Sequence, residues 1–133
     1  MNYEESIEWL NTIPLSFDRE NKNYEFKLDG IKAFLSHLKN PQSNLKIIHV
    51  GGTNGKGSTC SVISSVLQES GFKIGAFTSP HIKHFRERIR IGKDFIYRNF
   101  VLEFIINNRF KIESLGLTYF EISFAMAVDY FSK

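Results

Sequence analysis

Cysteine is almost absent from this chain. The single residue of that type, Cys60, excludes an internal disulfide and suits a reducing compartment. No apolar run approaches the ~20 residues that a membrane-spanning helix needs. The opening stretch, MNYEESIEWL, carries acids and lacks the basic n-region of a secretory signal. Net charge is low, +3, which admits anionic ligands without arguing for nucleic acid. Internal repeats and low-complexity segments are missing too. What is left is a chain of 133 residues, 42% hydrophobic and 23% charged, the composition of one small soluble domain rather than of a disordered segment. These traits together suit a cytoplasmic protein.

Periodicity supplies the elements. Tyr3, Ile7 and Leu10 recur at helical spacing, which predicts a helix over 2–12, ended near Pro14. Residues 16–27 are polar and mixed and read as a loop. Leu28, Ile31, Phe34, Leu35 and Leu38 make a second amphipathic helix, stopped before Pro41. Lys46–Val50 (KIIHV) is a short β-branched strand candidate. Residues 58–70 read as a helix with Val62, Ile63, Val66 and Leu67 on one face and Gly71 as its C′ residue. Lys73–Thr78 (KIGAFT) is a second strand. Strand, helix and strand in that order form a βαβ unit with a right-handed crossover. RIRI-GKDF-I alternates with period two about Gly92-Lys93, the pattern of a β-hairpin. Two further helices are expected over 99–112 and 118–131.

The stretch between the first strand and its helix is HVGGTNGKGST, with four glycines in eleven residues and one lysine among them. It approaches the phosphate-loop pattern G-x-x-x-x-G-K-[ST] but departs twice. Val50 stands where the first glycine belongs, and Gly57 follows Lys56 where Ser or Thr is usual. The physical requirements are nonetheless present. Glycines let the backbone approach an anion and adopt positive φ, so that successive N–H groups converge on it. The following helix N-terminus adds its dipole, and Lys56 a point charge. A plain βα connection needs far less glycine than this.

IHVGGTNGKGST, followed by TSPHI and FRERIRI, resembles the folylpolyglutamate synthase/dihydrofolate synthase family of Mur-ligase-type ATP-dependent amide ligases. The resemblance runs from LKNPQSNLKIIHV to LTYFEISFAMAVDYF. The two departures from the general phosphate loop are this family's own pattern. The resemblance implies an α/β fold, an incomplete P-loop (Mur-ligase-like) parallel-sheet domain with a β-hairpin insertion. It also implies activation of a dihydropteroate or folate carboxylate by ATP with Mg²⁺, then attack by the amine of L-glutamate on the acyl phosphate. Carried over by position, Thr53, Asn54, Gly55, Lys56, Gly57 and Ser58 form the ATP loop, with Lys56 in the catalytic role. Ser79 matches a magnesium-ligating serine. Thr118, Tyr119, Phe120 and Glu121 match a segment that touches the pteridine-bearing substrate, and Phe26–Leu28 align loosely with a second part of that pocket.

Structural roles compete for several of these residues. Thr118-x-x-Glu121 is also a capping box, which explains both residues without a substrate. Ser79 before Pro80 is ordinary turn chemistry. His81 and His84 stand three apart, but no cysteine and only Glu87 lies near them, a poor zinc set. Lys83, Arg86, Arg88, Arg90, Lys93 and Arg98 form a basic stretch that reads as a solvated hairpin face, or as a field that steers anionic substrates. Cys60 and Trp9 read as packing residues.

The expected domain organisation is partial. Residues 1–133 read as the N-terminal part of an ATP-binding central domain, with the C-terminal glutamate-ligase domain absent. No expected strand ends in an acid able to hold Mg²⁺, and the last helix is apolar on several sides. The chain alone is therefore expected to be inactive and poorly stable, with a large apolar patch on that helix, and its parent enzyme is expected to be monomeric. Two other readings stay open: another Mur-type ligase, acting on a cell-wall precursor, and a degenerate nucleotide-binding module without catalysis.

Overall fold

The computed structural model describes residues 1–15 and 27–133. The loop expected over 16–27 lies almost wholly outside the described residues, as does Phe26. The chain divides into two compact units, one of Met1–Asn44 with Arg98–Lys133 and one of Leu45–Tyr97.

The first unit is helical. Helix α1 (Tyr3–Asn11) opens on a capping box in which Glu5 N donates to Asn2 Oδ1 and Asn2 N to a Glu5 carboxylate oxygen, each at 2.8 Å. It buries Leu10 and Ser6, whereas Tyr3 and Ile7 stay half-exposed. Ser6 is tolerated inside because its hydroxyl donates to the Tyr3 carbonyl at 2.6 Å. Helix α2 (Asp29–His37) buries Ile31, Phe34 and Leu35 of its expected face, whereas Leu38 is half-buried and Leu28 exposed. It unwinds through Lys39 and Asn40, both at positive φ, just before Pro41.

The second unit begins at Leu45, and the segment expected as its first strand is not one. Residues 46–50 are irregular and join no ladder, and Ile47 and Ile48 are 59% and 63% exposed. A lone strand cannot satisfy its backbone groups, so its sequence pattern is not enough to make it β. Helix α3 (Lys56–Glu69) starts two residues earlier than expected. Its C-terminus is a Schellman motif, with Gly71 at φ +90°, Phe72 N donating to Leu67 O and Gly71 N to Gln68 O. Its expected apolar face is only half covered. Ile63 and Leu67 are half-buried, whereas Val62 and Val66 are exposed.

Strand β1 (Gly75–Phe77) pairs antiparallel with β2 (Ile89–Ile91), which pairs antiparallel with β3 (Asp94–Phe95). The β2–β3 hairpin turns at Gly92, φ +59°, as the sequence predicts. The expected parallel pairing is not present among the described residues. The hairpin offers β1 a ready edge, and residues 46–50 do not. The fold is thus mixed helix and sheet, as expected, with a sheet of three short antiparallel strands.

The chain returns to the first unit with α4 (Arg98–Leu115) and α5 (Tyr119–Phe131), joined through Gly116 at φ +60°. Phe34 of α2 meets Phe104 of α4 edge to face at 6.1 Å. Around that pair Leu10, Val101, Ile105, Ile112, Ile122 and Met126 form the core. The large apolar patch expected on the last helix is not found. α5 packs against both α2 and α4, which bury Ile122, Ala125, Met126, Ala127 and Val128 without any following strand. No helix among the described residues is long and apolar enough to cross a membrane.

Candidate functional site

The glycine loop turns directly into α3. Gly55 is the N-cap of that helix in the left-handed region, φ +75°, and Gly52 stands at φ +149°; both backbone states favour glycine. Among the described residues no side chain caps the helix, which leaves its first amides for water or a ligand. The loop surface is open: a Cβ added at Gly51, Gly55 or Gly57 would meet nothing within 4 Å. Lys56, Gly57 and Ser58 form the first turn of α3, and Thr53 and Asn54 the bend before it. The Lys56 ammonium folds back over the loop, donating to Gly52 O at 2.6 Å and reaching Thr53 O at 3.4 Å. Every residue from Gly51 to Thr59 is exposed. The loop is therefore a cradle of free amides with a cation held at its rim.

The second cluster follows β1. Ser79 is exposed and joined to Pro80 by a cis peptide bond. Beyond it the loop is held by Glu87, whose carboxylate accepts backbone N–H bonds from Ile82, Lys83 and His84 at 2.8–2.9 Å. These bonds, from Ile82 and His84 above all, lower the Glu87 pKa to about 2. Arg88 is buried and donates from Nε to His81 Nδ1 at 2.7 Å. Burial, then the Arg88 charge, pushes the His81 pKa down. That bond occupies one His81 nitrogen, and no group of three His, Cys, Asp or Glu able to hold a metal exists among the described residues. Ser79 has the hard oxygen that Mg²⁺ takes, but it fills one position of about six. The remaining ligands would have to be phosphate, water or other protein groups.

The basic stretch is partly consumed by structure. Arg86 donates to Ile96 O and lies over the Phe95 ring at 5.9 Å. Arg98 pairs with Glu4 at 3.2 Å and lies over Tyr3 at 5.0 Å. Sequence reasoning read Glu87 only as a weak zinc neighbour and missed its bonds. The available signal was an acid three residues after His84, the spacing at which a side chain returns to cap its own turn.

The third cluster lies in the helical unit. Thr118 caps α5: Glu121 N donates to Thr118 Oγ1 at 3.3 Å, while Thr118 N and Oγ1 both donate to Glu121 Oε2 at 2.9 and 3.0 Å. Thr118, Tyr119 and Glu121 are buried, and Tyr119 N donates to Pro14 O at 2.9 Å. The capping box thus accounts for Thr118 and Glu121 as they stand. Phe120 alone of the four presents its side chain to solvent, at 51% exposure. The glycine loop and Ser79 belong to one unit and residues 118–121 to the other. Of the loosely aligned Phe26–Leu28, Leu28 is exposed at the start of α2.

No family model matches the chain. Individual proteins do. Dihydrofolate synthetase of Saccharomyces cerevisiae is 42% identical over 111 residues, covering 80% of this chain and 26% of its own length. The solved folylpolyglutamate synthetase of Lactobacillus casei has a TM-score of 0.83 at 34% identity, over 98% of this chain and 33% of its own. A solved FPGS–AMPPCP–folate complex has the same TM-score at 34% identity, again over 98% of this chain and 32% of its own. The chain thus spans about a quarter to a third of the length of the proteins it matches. Likeness in sequence and in fold over nearly the whole chain leads to one conclusion: it belongs to the folylpolyglutamate synthase/dihydrofolate synthase family, matching part of the longer enzymes.

Proposed function

We propose that the chain is the ATP-binding part of a ligase that adds L-glutamate to dihydropteroate or a reduced folate. The observation that carries this reading is the open glycine cradle on the uncapped N-terminus of α3, with Lys56 at its rim. Likeness to a synthase solved with AMPPCP and folate supports it. In the reaction, a substrate carboxylate oxygen attacks the γ-phosphorus of ATP and ADP leaves. The glutamate amine then attacks the acyl carbon, loses a proton and expels phosphate.

The roles of this chain's residues follow from their positions. The amides of Gly55 to Ser58 bind phosphate oxygens, and Thr53 and Asn54 shape the bend. On phosphate binding Lys56 exchanges two backbone carbonyls for anionic oxygens, a stronger partner for an ammonium. Ser79 offers one oxygen to Mg²⁺, which would neutralise charge on the phosphates when bound. Phe120 is the member of 118–121 that a pteridine-bearing substrate can reach. Catalysis by the 133 residues alone is not part of the proposal, because the described residues offer no acidic cluster for the metal. The setting we propose is cytoplasmic, the parent enzyme a monomer, and neither nucleic acid nor membrane a partner.

The test is AMPPCP binding by calorimetry with MgCl₂ present. One charge-assisted contact contributes ~1.5–3 kcal/mol, so Lys56→Ala should weaken binding roughly 10- to 100-fold. Equal affinity of the variant and the parent would remove Lys56 from the phosphate site.

A further inference from the structure

We propose that Glu87 is a positioning residue, whose carboxylate gathers the N–H groups of Ile82, Lys83 and His84 and thereby sets the shape of the 79–84 loop that carries Ser79 and His81. The functional consequence rests on the nucleotide-binding reading above; the clamp itself does not.

The chemistry is specific to a carboxylate. Oε2 accepts from Ile82 N at 2.9 Å, and Oε1 from Lys83 N at 2.9 Å and His84 N at 2.8 Å. Both oxygens are therefore engaged, and every partner is a donor. Three consecutive N–H groups turned toward one point need an acceptor of concentrated negative charge. An amide side chain of the same shape has one acceptor oxygen and an NH₂ that would face an N–H. The depressed Glu87 pKa agrees with this arrangement and keeps the carboxylate charged at neutral pH.

A second hold comes from the next residue. Arg88 is buried, and its Nε bond to His81 Nδ1 grips the loop from within the unit. Phe85, buried just before, anchors the turn that presents both side chains. Between these anchors Ile82, Lys83 and His84 are all exposed and gain little from packing. Their geometry depends on hydrogen bonds, and Glu87 receives one from each.

The experiment uses the whole chain and two variants, Glu87→Gln and Glu87→Ala. The first readout is structural: amide proton shifts and hydrogen exchange at Ile82, Lys83 and His84 by NMR. Loss of one such bond should speed exchange about tenfold at the amide that faces the new NH₂. In the parent chain the three amide shifts should titrate together in strong acid, and neither variant should show that titration. The second readout is AMPPCP affinity with MgCl₂, which should fall severalfold in Glu87→Gln. Unchanged exchange and shifts at all three amides in Glu87→Gln would overturn the clamp. If the amides respond and Lys56→Ala weakens AMPPCP binding, but Glu87→Gln leaves it unaltered, the loop shape does not serve the nucleotide and the positioning role is wrong. If Lys56→Ala has no effect, the nucleotide reading fails, and the amide data alone decide whether Glu87 shapes the loop. Should Glu87→Ala fail to fold, the near-isosteric Gln variant carries the decision.

Discussion

Replacing Thr118 by alanine tests the first unit at its most concentrated polar point. Thr118 Oγ1 accepts from Glu121 N and donates to Glu121 Oε2 at 3.0 Å, and both residues are buried. Removing an N-cap hydroxyl costs about 1 kcal/mol. Here the cost is larger, because Glu121 stays buried and loses one of its two donors. An unsatisfied buried polar group costs ~1–3 kcal/mol. The surviving bond from Thr118 N to Oε2, at 2.9 Å, limits the damage. Thr118→Ala should therefore destabilise the chain by about 2–3 kcal/mol. With a urea m-value of ~1–3 kcal/mol per molar, the midpoint should fall by about 0.7–3 M. Thr118→Ser keeps the oxygen and should lie within ~0.5 kcal/mol of the parent chain. Urea unfolding followed by circular dichroism of all three proteins makes the comparison. If alanine costs less than ~0.5 kcal/mol, or serine costs as much as alanine, the hydroxyl is not what holds the start of α5.

Two glycines of the cradle should respond oppositely to alanine. Gly55→Ala forces a side chain onto φ +75° and should cost ~1–2 kcal/mol although the space is free, whereas Gly57→Ala, inside the first turn of α3, should be neutral or stabilise by up to ~1 kcal/mol in thermal unfolding. Phe34→Ala empties a fully buried aromatic site against Phe104 and should cost about 3–5 kcal/mol by denaturant titration. Acid should weaken the fold through Glu87 and Glu113, the latter lowered chiefly by its hydrogen bond from Arg109. Both folded pKa values lie below the unfolded one, so this stability is complete above about pH 4.5 and is lost as pH falls, the Glu87 part draining toward pH 2. A flat unfolding midpoint across that window would contradict both assignments.

Features that close within a few residues are legible in the sequence. The Thr118–Glu121 box, the Gly71 helix end, the hairpin turn at Gly92 and the glycine run that opens α3 are each decided by side chains and φ preferences a few positions apart. The family was legible for a similar reason, since its motifs are short and contiguous. Pairing and coverage were not. Residues 46–50 have the composition of a strand, but a strand exists only when a neighbour supplies the other half of its ladder, and none does among the described residues. The apolar last helix looked exposed because its sequence does not reveal that α2 and α4 lie against it. Glu87 lies five residues beyond the first amide it holds, and what joins them is the path of the backbone through the His81–Phe85 turn, which only the folded chain provides.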